Sequence, residues 1–349
     1  MDLTGFLKKA VEKKASDLHI TVDSPPIVRI DGRLMPLSDC PRLTREDCKR
    51  LMYSILNDKQ KAEFEKDLEL DLSLEIPEIN RFRVNVHMQR GNVEGAFRLV
   101  SLNIKTLVEL GLPAIVSDLC RKPQGLVLIT GPTGVGKTTT LAAMVDLINS
   151  ERQAIVIVIE DPIEYVHTNK RSIIKQREVY SDTRSFADAL MHALRQDPNV
   201  IVVGEMRNLE TISTVLTAAE TGHLVLATLH TPNAMQTIDR IIDVFPPYQQ
   251  QQVKIQLAGT LQAVISQQLL PRKDTGGRVL STEVMVATSA IKNLIREHQT
   301  EQLSTHMQTG AKYGMHTMDK SLKALFQNGI ISEHDFKTYL VNPDEAKNL

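Results

Sequence analysis

Residues 125–144, GLVLITGPTGVGKTTTLAAM, constrain the fold of this chain more tightly than any other stretch. Leu126 to Thr130 is a short apolar run of strand-forming residues, Gly131 to Gly136 reads as a turn, and Thr138 to Leu147 has a helical pattern. Gly131, Gly136, Lys137 and Thr138 fit the spacing G-x-x-x-x-G-K-[ST], a loop that grips nucleotide phosphates. The strand–turn–helix context is what that chemistry needs. Glycines let the backbone fold tightly so that its N–H groups face the phosphates, and the helix N-terminus adds partial positive charge. Lys137 is expected to reach the β- and γ-phosphates of ATP, and Thr138 to ligate Mg²⁺. The candidate nucleotide-binding residues are Thr133, Gly134, Val135, Gly136, Lys137, Thr138 and Thr139. A glycine-rich turn without a ligand is the competing reading, and the agreement of motif with context argues against it.

Before that loop the chain reads as α+β. Leu3, Leu7, Ala10 and Val11 share a helical face, Leu18, Ile20 and Val22 alternate as a strand, and Asp31-Gly32 marks a hairpin turn. Thr44 and Asp47 form a capping-box signature for a helix through Leu56. In NRFRVNVHMQRGNVEGAFRLV, a turn at Gly91-Asn92 puts Phe82, Val84, Phe97 and Leu99 on one hairpin face and Arg83, Asn85 and Arg98 on the other. After a connector over 101–115, strand-like runs alternate with helix-like runs: Leu126–Thr130, Ala154–Ile159, Val200–Val203 and Leu224–Thr228 against Lys137–Ile148, Ser185–Gln196 and Leu209–Thr221. That alternation predicts a mostly parallel sheet with helices on both faces and ligands beyond the carboxyl ends of its strands. GGRVLSTEVMV is expected to add a peripheral strand, and from about Ser289 the pattern is helical.

A phosphate loop needs acids to hold Mg²⁺ and to activate water. NVIVVGEMR ends its apolar run at Gly204-Glu205, and IVIVIEDPIEYVH ends at Glu160-Asp161 with Glu164 beyond Pro162. Glu164 is assigned as general base and Glu205 to the Mg²⁺ shell; the alternative is that these acids are caps or solvated loop charges. His223 and His230 bracket LVLATL and face opposite sides of a regular strand, so the two are not expected to share a metal. His230 lies at the carboxyl end, as a γ-phosphate sensor or simply a satisfied polar residue; His223 reads as structural or interfacial. Arg83 and Arg98 are either a solvated face or donors to the charge that builds on a transferring phosphoryl group.

Composition narrows the class. With Lys+Arg 41 against Asp+Glu 42, a net charge of −1 and no Trp, a basic nucleic-acid module with base-stacking platforms is not expected. Cys40, Cys48 and Cys120 form no C-x-x-C pair, so neither a disulfide framework nor a zinc site is expected and a reducing cytoplasm is. No apolar run approaches the ~18 residues that span a bilayer, and MDLTGFLKKAVEKKASD does not read as a signal peptide.

GPTGVGKTTTLAAM, IEDPIEYVH, QREV, LRQDPNVIVVGEMRNLETI and AAETGHLVLATLHT, in that order, resemble the secretion ATPase superfamily, and within it the type IV pilus retraction ATPases (PilT family). The likeness runs from SDLHITVDSPPIVRIDGRL almost to the C-terminus. It implies a PAS-like N-terminal domain over 1–100, a linker over 101–115, a RecA-like ATPase core over 116–288 and a helical subdomain over 289–349. It further implies a homohexamer using ATP and Mg²⁺, and maps the family's N-terminal arginines to Arg83 and Arg98. The implied function is a cytoplasmic motor, peripheral to the inner membrane through the pilus machine, that acts on the inner-membrane platform protein to retract pili and give twitching motility. An accessory retraction ATPase is an implied partner. AIKNLIRE, Ala290 to Glu297, resembles the family's retraction signature with Lys292 in place of the usual Arg, and Asn208 stands where Asp is common. The alternative is a nucleotide-switched accessory or scaffold with little turnover, as in a PilU-like paralogue.

Overall fold

The computed structural model describes residues 2–30, 32–77, 79–100 and 103–342. Asp31 of the expected hairpin turn, residues 101–102 of the expected connector and residues 343–349 of the expected helical piece lie outside the described residues. The chain divides into two compact units, Met1–Leu102 with Glu164–Val166, and Asn103–Ile163 with His167–Leu349.

The first unit opens with α1 (Leu3–Glu12), started by the Asp2 carboxylate accepting from the Gly5 N–H. It continues through β1 (Asp17–Ile20), β2 (Ile27–Ile30), β3 (Arg33–Pro36), α2 (Arg45–Tyr53), α3 (Asp58–Asp67), β4 (Glu69–Ile76), β5 (Asn80–Gln89) and β6 (Asn92–Leu99). The strands form one antiparallel sheet of order β3-β2-β1-β6-β5-β4. The alternation expected of an antiparallel sheet with one buried face is present. Leu18, Ile20, Phe82, Val84, Val86 and Phe97 pack with Leu3, Phe6 and Leu7 of α1 and Leu51 and Met52 of α2. Thr44 and Asp47 make the full capping box at the start of α2. The β5–β6 turn falls on Arg90-Gly91, both with positive φ, rather than on Gly91-Asn92. Two left-handed residues in succession suit the primed two-residue hairpin turn, whose twist matches the strands. The register moves by two relative to the expected one, so the faces are unchanged and Arg83 becomes the direct partner of Arg98.

The second unit runs α4 (Ile115–Cys120), β7 (Gly125–Thr130), α5 (Lys137–Glu151), β8 (Ile155–Glu160), β9 (Ile173–Glu178), α6 (Phe186–Ala193), β10 (Val200–Val203), α7 (Leu209–Glu220), β11 (Leu224–Leu229), α8 (Ala234–Asp243), α9 (Pro247–Thr260), β12 (Leu261–Pro271), β13 (Arg278–Val286), α10 (Ser289–Arg296), α11 (Leu303–Thr309), α12 (Met318–Gln327) and α13 (Glu333–Tyr339). Its sheet has the order β13-β12-β7-β11-β10-β8-β9, parallel except for the antiparallel edge strand β13. Every residue of β7, β10 and β11 is buried. That is why these strands are unbroken apolar runs: a parallel sheet is covered on both faces. One face packs against α6 to α11, the other against α4 and α5. The fold is thus mixed α/β with a parallel-sheet domain around the phosphate-loop strand.

Candidate nucleotide site

β7 ends at Thr130 between β12 and β11, and α5 begins seven residues later, so the loop 131–136 crosses the carboxyl edge of the sheet at its centre. Backbone geometry explains its glycines. Gly131 has φ +136, and a Cβ there would lie 2.5 Å from the Gln267 carbonyl oxygen. Gly136 takes φ +88 as the residue before α5. No side chain caps α5. A helix start with no side-chain cap, following a glycine loop, is the arrangement that receives phosphate oxygens. The cradle fits a nucleoside triphosphate on these grounds.

Lys137 is 8% exposed, and its Nζ donates to the carbonyls of Gly131 at 2.8 Å and Pro132 at 2.9 Å. Its Nζ also lies 3.4 Å from His230 Nδ1, and His230 Nε2 lies 3.4 Å from Glu205 Oε2. Since an ammonium only donates, His230 Nδ1 accepts, and Nε2 carries the ring proton toward the carboxylate. Thr133 Oγ1 also approaches Nδ1 at 3.4 Å. The other oxygen of Glu205 is held by Arg207 Nε at 2.7 Å. Sheet order builds this chain of groups: β7, β11 and β10 are successive neighbours, so Lys137, at the start of the helix that follows the β7 loop, meets His230 and Glu205 just beyond the ends of β11 and β10. Beneath it, the Thr228 hydroxyl donates to the Gly204 carbonyl, and Met206 N donates to the Thr228 carbonyl at 3.0 Å. Glu160 ends β8 in the next position and is buried. Gly204 leaves room for it, since a Cβ there would approach the Glu160 Cα to 3.3 Å.

Thr138 and Thr139 are half-buried in the first turn of α5. Glu164 is exposed and groups with the first unit, as do Arg83 and Arg98. Among the described residues Arg83 has no ion pair, whereas Arg98 Nε donates to Asp17 Oδ1 at 2.9 Å. Asp17 is held below the usual carboxylate range: burial pushes it up, but the Ser16 hydroxyl and the Arg98 guanidinium outweigh that. His223, at the opposite end of β11 from His230, bonds through Nδ1 to the Ala218 carbonyl at 2.9 Å. Asn208 caps α7 by accepting from Thr211 N at 3.0 Å, a task Asp performs equally well.

The sequence reading does not identify β12, and so does not find the floor of the site. Thr130 Oγ1 donates to Ser266 Oγ at 2.9 Å, and Gln267 Nε2 donates to Thr140 Oγ1 at 2.7 Å inside the core. Arg278 Nη1 reaches the Gly134 carbonyl at 3.4 Å. The run LQAVISQQLLP, bounded by Pro271, carries the signal of a buried strand.

A glycine loop at the end of a central parallel strand, an uncapped helix behind it, and a histidine and an acid on the next two strands define a P-loop ATPase. The pattern of the type II/IV secretion system protein family matches residues 2–329. The chain belongs to that family. It is 47% identical over 335 residues to the type IV pilus retractation ATPase PilT of Pseudomonas aeruginosa, covering 96% of this chain and 97% of that protein. It is 40% identical over 349 residues to the type IV pilus ATPase PilU of the same organism, covering 100% and 90%. Among solved structures, the pilus retraction motor PilT with bound ADP superposes with a TM-score of 0.94 at 47% identity, over 100% of both chains.

Proposed function

We propose that this protein is a cytoplasmic motor ATPase that retracts type IV pili. In this reading six copies form a ring, and ATP hydrolysis drives the inner-membrane platform protein to disassemble the pilus. The Lys137–His230–Glu205 chain at the phosphate loop carries the proposal. Thr133 to Thr139 would hold the triphosphate, with Lys137 leaving its loop carbonyls for the β- and γ-phosphates. Thr138 and Glu205 supply the hard oxygen donors that suit Mg²⁺, which typically takes one or two protein ligands beside phosphate oxygens and water. The metal would neutralise charge building on the phosphates. His230, hydrogen-bonded to both Lys137 and Glu205, would report the presence of a γ-phosphate. Glu164 is proposed as the base that orients the attacking water, and Arg83 and Arg98 as donors to transition-state charge. Near-full-length likeness to a named retraction ATPase supports the assignment of the work done.

The test is phosphate release by purified protein with Mg²⁺ and ATP. Lys137→Ala should abolish it, since no neighbouring side chain replaces the ammonium; turnover near wild type in that variant would remove the site assignment. The likeness to PilU favours a second reading, an accessory ATPase with little turnover of its own that acts beside a principal motor. ATP binding without sustained phosphate release would select it.

A further inference from the structure

The stretch QREV, residues 176–179, closes the edge strand β9, away from the central strand that leads into the phosphate loop. Gln176 and Glu178 are two residues apart in that strand, so their side chains leave it on the same face. Both reach one loop. Glu178 Oε2 accepts from the N–H of Ile163 at 3.1 Å, and Gln176 Oε1 accepts from the N–H of His167 at 2.9 Å. Between these two anchors lie Glu164, Tyr165 and Val166. Glu164 is the acid proposed above as the base that orients the attacking water.

Glu178 is 3% exposed. A carboxylate at that depth is costly unless its oxygens have donors. Here the Ser181 hydroxyl donates to Oε1 at 3.1 Å while Ile163 occupies Oε2. The segment that carries Ser181 is itself tied down, because Glu178 N donates to Asp182 Oδ2 at 2.8 Å. The charged acceptor thus sits on the residue directly before Glu164, and the neutral one on the third residue after it. Beyond His167 the chain is pinned again: Asn149, wholly buried on α5, donates to the Thr168 carbonyl at 2.8 Å and accepts from Lys170 N at 3.0 Å. Ile163 and His167 both belong to the second unit, while the three residues between them group with the first. The grip on each side of Glu164 is therefore made by the unit that holds the phosphate loop.

We propose that Gln176 and Glu178 are positioning residues for Glu164. Each holds one backbone N–H beside it, so that an exposed side chain starts from a fixed place. A general base must meet its water within hydrogen-bond reach, and a misplacement of about 1 Å can cost on the order of 10²-fold in rate. The grip acts on the reacting step and not on the phosphates, which belong to the loop around Lys137. The inference rests on Glu164 being the base, as proposed above.

The experiment measures phosphate release by the full-length protein with Mg²⁺ and ATP, for single variants and in a Glu164→Gln background. Glu178→Ala removes the acceptor for Ile163 and should lower kcat about tenfold or more, with KM within about twofold of wild type. Glu178→Gln keeps one carbonyl oxygen for that N–H and should hold kcat within about threefold of wild type. Gln176→Leu removes the neutral acceptor and should lower kcat about fivefold, again with KM little changed; it carries the test if Glu178→Ala fails to fold. Once the base is gone there is nothing left to position. Either loss should therefore shrink below about twofold when Glu164→Gln is already present. Losses of equal size in both backgrounds overturn the proposal, as does a loss carried by KM, an unchanged kcat in Glu178→Ala, or a Glu178→Gln variant no better than Glu178→Ala. Wild-type turnover by Glu164→Gln alone overturns the reading of Glu164 as base, and the proposal with it.

Discussion

Glu205 and Glu164 differ in their surroundings. Glu205 is pinned through both oxygens, by Arg207 on one side and His230 on the other. Such a carboxylate is oriented and partly neutralised, which suits a group that holds metal-bound water more than one that takes a proton. Glu164 is exposed and keeps its acceptor capacity. Glu164→Gln is therefore expected to bind ATP while hydrolysis slows by about 10²-fold or more, as for loss of a general base. Glu205→Ala should instead weaken the dependence of turnover on Mg²⁺. The measurements are nucleotide retention after gel filtration and a Mg²⁺ titration of phosphate release. If only Glu205→Gln trapped ATP, the two roles would be exchanged. At this scale the left-handed glycines of the loop and the place of Glu205 just beyond a buried strand were legible because each carries its signal in local spacing. Arg207 was not singled out, since its pairing with an acid two residues away depends on how the chain turns after β10.

The β5–β6 hairpin shows which information survives an error in register. Its turn lies one residue earlier than expected, yet the faces hold, because side chains alternate with a period of two and the pairing moved by two. Arg83 and Arg98 consequently stand side by side on the polar face, one paired with Asp17 and one with no ion pair among the described residues. A guanidinium that acts on transition-state charge should affect rate more than affinity. Arg83→Ala or Arg98→Ala is expected to lower kcat far more than nucleotide affinity. Mixing either variant with Lys137→Ala subunits should restore phosphate release if the arginine serves a neighbouring subunit's site. No recovery at any mixing ratio would favour action within one chain or a structural role. Elements with weak patterns were harder to read. α3, DKQKAEFEKD, buries only Phe64 and has almost no apolar stripe, and β9, IIKQRE, is a half-exposed edge strand.

Across the whole molecule, α10 holds the AIKNLIRE stretch in a way that reconciles its two readings. Ile291, Leu294 and Ile295 are buried in the main core, while Arg296 is exposed and Lys292 reaches the Gly259 carbonyl of α9 at 3.4 Å. The apolar stripe fixes the helix, with Lys292 at the flank against α9 and Arg296 exposed. Lys292→Ala with Arg296→Ala spares the buried stripe, so folding, assembly and most ATPase activity should persist. Cells carrying it should make pili but fail to retract them, scored by twitching on agar and by imaging labelled pili. Aggregation of the variant, or loss of hydrolysis in step with retraction, would mean the basic face supports the fold or an interface between subunits. Among the described residues no helix is long and apolar enough to cross a membrane.

The sequence by itself determined the strand–loop–helix of the phosphate loop, the parallel alternation around it, the faces of the arginine hairpin and the cap of α2. All of these are set by neighbours within a few residues, where spacing and side-chain chemistry act directly. Only the tertiary structure decided the order β12-β7-β11-β10. That order puts His230 between Lys137 and Glu205, residues 93 and 25 positions away from it in the chain. It also lays Ser266 between Thr130 and Glu283, whose buried carboxylate accepts from the Ala234 N–H at the start of α8. Periodicity tells which way a side chain points, not which strand lies beside it; that choice is made by burial of the whole apolar surface at once.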